Sequence, residues 1–332
     1  MSASRPDRRP FGRCSALLIG ALLALGARAA EVGGSGLHFN AEPITPVPLH
    51  LDSDPRLREV GRQLFFDPRL SGDGDSHCGS CHALPPISEA QPASGVSEPM
   101  GKHKRSVPLL YNVGEAYWLN WDGRYSDLET LVADAVSDPD KLNADWATVL
   151  ERLRPVYASR FGLSGSQPLT RAGVVEALAV FLRSLNTPNA RLDRFLRGDH
   201  DALTLREQQG YRLFKEVGCA TCHNGRAAGA NFFEQFYIYR HEGGAEGEPR
   251  LRDQGRYYVT GESDDANLYR VPTLRNVVHS APYFHDGSTQ TLREAIEEMA
   301  EHQLGVVLAE EDVLLLEDFL KTLSGNHPGV TP

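Results

Sequence analysis

The chain has 332 residues, 23% of them charged and 41% hydrophobic, which is globular composition with enough length for two domains. Its net charge is −10, and residues 1–29 alone carry +4, leaving −14 on the rest. That balance excludes a disordered or fibrous chain, and it excludes a nucleic-acid binder, which would present a basic face. Residues 1–29 read as an export signal. Arg5, Arg8, Arg9 and Arg13 precede an apolar run from Cys14 to Ala27, and Ala27-Arg28-Ala29 gives a cleavage pattern. The run is too short to span a bilayer comfortably, and no later segment approaches 18 apolar residues, so stable membrane insertion is not expected. A periplasmic, soluble location follows.

Residues 30–55, with Pro43, Pro46, Pro48 and Pro55, are expected as an extended lead-in rather than a packed element. A pattern then occurs twice. Gly61-Arg-Gln-Leu-Phe65 precedes Cys78-Gly-Ser-Cys81-His82, and Gly210-Tyr-Arg-Leu-Phe214 precedes Cys219-Ala-Thr-Cys222-His223. Each reads as a short helix ending in Leu-Phe, a loop, then the cysteine string. A single recurrence, 141 residues from His82 to His223, marks a duplicated module rather than a solenoid. Between the strings, Asp127–Ala135 and Ala144–Leu153 are short amphipathic helices. Arg171–Leu185 is a strongly apolar helix stopped by Thr187-Pro188, where the boundary between domains 30–187 and 188–332 is placed. Asn231–Asp265 reads as irregular loop. Helices over Leu292–His302, opened by a Thr291/Glu294 capping box, and over Glu310–Leu323 close a mainly α chain.

The two C-x-x-C-H strings carry the chemistry. Two residues between cysteines let both sulfurs reach the vinyl groups on one haem edge, and the adjacent histidine then offers the iron an imidazole nitrogen. Zinc knuckles pair over roughly 15–20 residues, whereas Cys81 and Cys219 are 138 apart. A thioredoxin-like redox pair would need a βαβ setting and would not repeat. Two covalent haems are therefore predicted, on Cys78/Cys81/His82 and on Cys219/Cys222/His223. Each iron has a further axial position, and His/Met ligation there raises the reduction potential. Beyond Met1 the chain has only Met100 and Met299. Met299 shares a helix face with Leu292 and Ile296, where a methionine is ordinarily core filler.

From Gly61 to Gly325 the chain resembles the bacterial di-haem cytochrome c peroxidases, the family that includes MauG. The markers are GRQLFFDPRLSGDGDSHCGSCH (61–82), VPLLYNVGEAYWLNWDGR (107–124), GYRLFKEVGCATCHNG (210–225) and YRVPTLRNVVHSAPYFHDGSTQTLREAIEEM (269–299). The resemblance implies two cytochrome c-like, mainly helical domains, with the haems either side of their interface. It makes His223 and Met299 the ligands of an electron-transfer haem, where MauG-type members have Tyr in place of the Met. It makes His82 the proximal ligand of a peroxide-reactive haem and puts Trp121 between the two. It also implies an interface calcium ion, held largely by backbone carbonyls, at Ser106, Ser280 and Pro282; the family's residue at the first of these is Asn. Hydrogen peroxide as substrate, a small cytochrome c or cupredoxin as electron donor, and a homodimer are implied with it.

Two positions depart from the family. Its distal acid/base is a Glu in an Asn-Pro-x-Glu-Met setting; here the setting is Asp138-Pro-Asp-Lys141-Leu142, and a protonated Lys141 cannot act as the base. Asp140 or Glu129 would replace the acid only if the loop shifts. Many members also carry a loop His that blocks the first haem before reduction. Here Val96–Arg105 has no His at that offset, and Met100 and His103 are the nearby candidates. The departures keep two further readings open: a MauG-like oxidase of a protein or organic substrate, and a non-enzymatic di-haem electron carrier.

Overall fold

Helix α1 (Pro55–Phe65) starts where Asp54 accepts the amides of Arg56 and Leu57 and a proline occupies the first turn. The computed structural model describes residues 42–50, 52–86, 105–164, 166–238, 253–327 and 329. The export signal, Met100 and His103 lie outside the described residues.

The first half continues with α2 (Cys78–Cys81), α3 (Leu128–Ser137), α4 (Trp146–Tyr157) and α5 (Arg171–Arg183). Asp127, Asp145 and Thr170 cap α3, α4 and α5 by accepting an amide from the first turn. The second half holds α6 (Arg191–Leu196), α7 (Leu205–Val217), α8 (Cys219–Cys222), α9 (Tyr257–Thr260), α10 (Leu292–Leu304) and α11 (Glu310–Lys321). Two three-residue strands, β1 (Phe233–Gln235) and β2 (Leu268–Arg270), pair antiparallel, with Phe233 opposite Arg270.

The apolar faces form two clusters. One gathers Leu64 and Phe65 of α1, Val132 and Val136 of α3, and Val174, Leu178 and Phe181 of α5. The other gathers Tyr211 and Phe214 of α7, Ile296 of α10, and Val313, Leu316 and Phe319 of α11. The duplicated glycines explain the pairing. A Cβ on Gly61 would lie 1.9 Å from the carbonyl oxygen of Ala177 in α5, and one on Gly210 would lie 2.1 Å from that of Leu315 in α11. In both modules the helix before the cysteine string touches another helix backbone to backbone, which only glycine permits.

The predicted helices form with small shifts. Helix α4 runs past the expected end at Leu153, through Pro155, to Tyr157. The lead-in needs correction: Ile44 and Val47 are fully buried, and Ile44 bridges to Gly225 beside the second cysteine string. Arg275, paired with Asp193 at 2.8 Å, donates to the Thr45 carbonyl at 2.9 Å, and Glu42 accepts from Tyr211 and Lys215. The stretch 231–265, expected as loop, contributes β1 and α9 among its described residues.

Candidate active site: two cysteine-histidine turns on one cavity

Each cysteine string folds as a single helical turn. The histidine caps it, its amide donating to the first cysteine's carbonyl at 2.9 Å, and the backbone leaves with φ −109°, ψ 79° at His82 and φ −96°, ψ 78° at His223. The turns open onto one cavity of about 1080 Å³, lined by all four cysteines, both histidines, Trp121, Lys141 and Met299. Ser106, Ser280 and Pro282 line it too.

His82 Nδ1 lies 3.2 Å from the Pro108 carbonyl and His223 Nδ1 lies 3.4 Å from the Ala228 carbonyl. A carbonyl can only accept, so each Nδ1 carries the hydrogen and each Nε2 keeps a free lone pair, the arrangement of a metal-binding imidazole. Burial pushes both rings down to about 4, with the Lys141 charge adding to the effect at His82. Both are neutral at physiological pH and able to ligate. Burial also raises all four thiols, Cys78 to about 12 and Cys219 to about 11. The cysteines are free, and among the described residues no three His, Cys, Asp or Glu side chains converge as a zinc site requires. Uncharged thiols beside a large, mainly apolar cavity suit thioether attachment of a porphyrin. The volume slightly exceeds the roughly 300–1,000 Å³ of an ordinary small-molecule pocket. The residues present therefore fit two haems. A buried cation on the wall suits a haem's carboxylates: Arg270 donates to the Asn120 and Val271 carbonyls and lies near Asp122.

Trp121 is held from several sides. Its indole Nε1–H donates to the Ser106 carbonyl at 2.9 Å, its ring meets the edge of His285 at 6.3 Å, and its carbonyl accepts from Arg270. The carbonyl of Ser106, one of the three expected calcium positions, thus already accepts a hydrogen bond. Arg105 joins this region to the chain near Asp253. Its guanidinium holds that carboxylate in a fork at 2.6 and 2.8 Å and also reaches Asp122 at 2.7 Å. Glu129 is not on the cavity; it pairs with Arg183 through two bonds of 2.7 Å.

A second internal repeat runs through the chain at a different spacing from the cysteine strings. VPLLYNV (107–113) and VPTLRNV (271–277) are related by an offset of 164 residues. Asn112 and Asn276 both take left-handed conformations and start matching 3-10 turns. The Leu119–Tyr125 bridge recurs as Tyr283–Thr289, and the Asp127 cap of α3 recurs as the Thr291 cap of α10. The same offset carries Met299 on α10 back to Ala135 on α3, and both line the cavity. Where α10 lines the cavity with a thioether, its counterpart α3 lines it with a bare methyl.

The family model described as di-haem cytochrome c peroxidase matches residues 55–201. The cytochrome c551 peroxidase of Nitrosomonas europaea is 34% identical over 310 residues, covering 92% of this chain and 90% of that one. The cytochrome c peroxidase Ccp of Escherichia coli is 34% identical over 289 residues, 86% of this chain and 61% of that one. Among solved structures, a MauG-like protein associated with microbial copper homeostasis superposes with a TM-score of 0.65 at 27% identity, covering 86% of this chain and 93% of that one. The mainly helical, cytochrome c-like architecture, the paired attachment turns and these relatives lead to one conclusion: the chain belongs to the di-haem cytochrome c peroxidase family.

Proposed function

We propose that the protein reduces hydrogen peroxide to water in the periplasm, with electrons from a small cytochrome c or cupredoxin. The observation that carries this reading is an asymmetry between the repeats: both histidine turns line the cavity, but Met299 lines it from α10 where the corresponding position on α3 is Ala135. Cys78, Cys81 and His82 would hold one haem, and Cys219, Cys222 and His223 the other. Bound there, the haems would supply two one-electron centres and an iron on which peroxide can be reduced. Met299 would complete the second haem's ligand set, which would raise its potential and suit electron entry. Ala135, with no ligating atom, would leave the first haem open to substrate. Trp121, fixed by Ser106 and Arg270, provides an aromatic path between the halves. The chain's −14 charge outside the signal favours a basic donor protein. A domain boundary near Pro188, a calcium ion at Ser106, Ser280 and Pro282, a homodimer and removal of residues 1–29 complete the proposal. His103, a few residues from the expected offset in sequence, is the candidate for a first-haem ligand in a resting state.

One observation favours a second reading. The resemblance puts Lys141 at the family's acid position, so a MauG-like oxidase acting on a protein or organic molecule is the alternative, opposed by Met299. The test is turnover of peroxide by the haem-loaded protein with a reduced donor cytochrome. Rapid oxidation of the donor, two equivalents per peroxide, supports the peroxidase. Slow turnover together with oxidation of an organic donor supports the alternative. No reaction with peroxide contradicts both and leaves an electron carrier.

A further inference from the structure

Peroxide reduction asks two things of the protein beside the iron: a base to take a proton from one oxygen and an acid to give one to the other. A single carboxyl can do both in turn. In this chain that position is Lys141, and the structure shows what stands with it. Its Nζ donates to Asp138 Oδ2 at 2.8 Å, while Asp138 Oδ1 accepts the Asp140 amide at 3.0 Å. Both side chains line the cavity that holds His82.

Their place at the end of α3 is specific. Ala135, the counterpart of Met299, lies three residues before Asp138, which is the C-cap of α3, and Lys141 stands in the turn that follows. Leu128, Leu131, Ala135 and Asp138 all line the cavity, as one helical face would. The pair therefore begins one turn beyond the residue that stands in the methionine's place. The turn carrying it is locked. The amides of Lys141 and Asn143 both donate to the Asp138 carbonyl at 3.0 Å, and the Gly72 amide donates to the Leu142 carbonyl at 2.7 Å. A Cβ on Gly72 would lie 2.1 Å from the Asn143 carbonyl oxygen, so the Ser-Gly-Asp-Gly stretch packs directly on this turn. No loop shift is needed to bring a carboxylate to the cavity. Of the other carboxylates, Glu129 is engaged with Arg183 and Asp122 with Arg105 and Arg124, whereas Asp140 lines the same cavity and gives its amide to Asp138.

We propose that Asp138 and Lys141 act as a catalytic base and acid for the first half of the cavity, dividing between two side chains what one glutamate does in relatives. This deepens the peroxidase reading and rests on it. Asp138 takes the proton from one peroxide oxygen. The O–O bond breaks, and the departing oxygen takes a proton from Lys141 and leaves as water. The other oxygen becomes the second water with two electrons from the reduced donor protein and two protons from solvent. The proton on Asp138 returns to Lys141 across their hydrogen bond, restoring the pair. Burial raises the Asp138 pKa, but the Lys141 hydrogen bond, the Asp140 amide and the charges of Lys141 and Arg124 outweigh it and hold the carboxylate ionised.

The test uses the haem-loaded protein with Asp138→Asn, Lys141→Met and Lys141→Arg, checking haem content for each. Two quantities are read: peroxide turnover with a reduced donor cytochrome, and cyanide association with the resting and one-electron-reduced protein. Hydrogen cyanide must lose a proton to bind as an anion, so its association reports the base without turnover. Asn keeps the acceptor for the Asp140 amide, so the turn survives. Asp138→Asn should slow cyanide association and peroxide turnover by at least about tenfold each, the lower part of what a positioned acid/base supplies. Lys141→Arg keeps the charge but holds its proton too tightly to give it up. It should lower turnover by a similar factor and leave cyanide association within about threefold of wild type, and Lys141→Met should lower turnover at least as much. Unchanged cyanide association and turnover in a fully haem-loaded Asp138→Asn protein would overturn the pair while leaving the peroxidase reading intact. A wild-type protein that does not reduce peroxide, yet binds cyanide in an Asp138-dependent way, would overturn the peroxidase reading instead and keep Asp138 as a base.

Discussion

The Arg270 amide donates to the Trp121 carbonyl at 2.8 Å, and the Arg270 guanidinium carbon lies 5.8 Å from the centre of the Trp121 ring. With the indole hydrogen bond to Ser106, this leaves the ring little freedom. Trp121→Phe keeps an aromatic ring but loses the donor, at about 1 kcal/mol of stability. The variant should retain two haems and lose at least about tenfold in donor-dependent turnover, about 1.4 kcal/mol in the barrier. Unchanged steady-state rates in that variant would remove Trp121 from the path between the halves.

Ala135→Met places on α3 the residue that α10 carries at Met299. The first haem should then acquire the absorption spectrum of a methionine-ligated centre and lose most of its cyanide binding and peroxide turnover. A variant whose first-haem spectrum and ligand binding match wild type would show that the 164-residue correspondence does not extend to the iron's open side.

The two close helix contacts make equivalent predictions. Gly61→Ala and Gly210→Ala each force a methyl into a facing carbonyl, and overpacking of this kind costs about 1–3 kcal/mol. Chemical denaturation should show a drop of that size for both variants. A loss at one site alone would mean the modules do not pack alike.

Why some of this was readable in the sequence and some was not has a physical basis. Helices α3, α5 and α10 announce themselves because their caps and apolar spacing are local; the Thr291/Glu294 capping box forms as expected. The cysteine turns are local too. The buried lead-in was missed because Ile44 and Val47 have no periodicity, and their order comes from residues far along the chain, such as Gly225 and Arg275. The Arg105–Asp253 fork joins residues 148 apart, and nothing near either one signals it. Lys141 and Asp138 are close enough in sequence to suggest an ion pair, but that both face the cavity follows only from the turn pinned on Gly72. The Ala135–Met299 correspondence is carried by the repeated Val-Pro-x-Leu-x-Asn-Val motif, whose spacing of 164 residues differs from the 141 of the cysteine strings and so does not stand out beside them.

The fork itself is testable. Asp253→Ala leaves Arg105, largely buried, with Asp122 as its remaining carboxylate. Breaking a buried pair from one side costs about 3 kcal/mol or more. A melting temperature within experimental error of wild type would show that solvent or Asp122 compensates fully.

Glu42 gives a pH dependence with a defined sign. Burial raises its pKa, but hydrogen bonds from Tyr211 and Lys215 and the Lys215 charge outweigh it, so the folded value lies below the ordinary 4.5. A depressed carboxylate pKa means that the folded state binds this proton less readily than the unfolded one. The contribution is present above about pH 4.5 and is lost as pH falls through the lower folded value. Wild type should therefore melt above Glu42→Gln at pH 7, and the difference should shrink as pH falls below about 4.5. A difference that grows on acidification would have the wrong sign.

The central claim is that both cysteine-histidine turns carry a covalent porphyrin. Peptide mapping by mass spectrometry of the exported protein tests it directly. The account predicts one haem mass on the peptide holding Cys78 and Cys81 and one on the peptide holding Cys219 and Cys222. Either cysteine pair recovered unmodified, or joined as a disulfide, in protein matured with a full haem supply would contradict it.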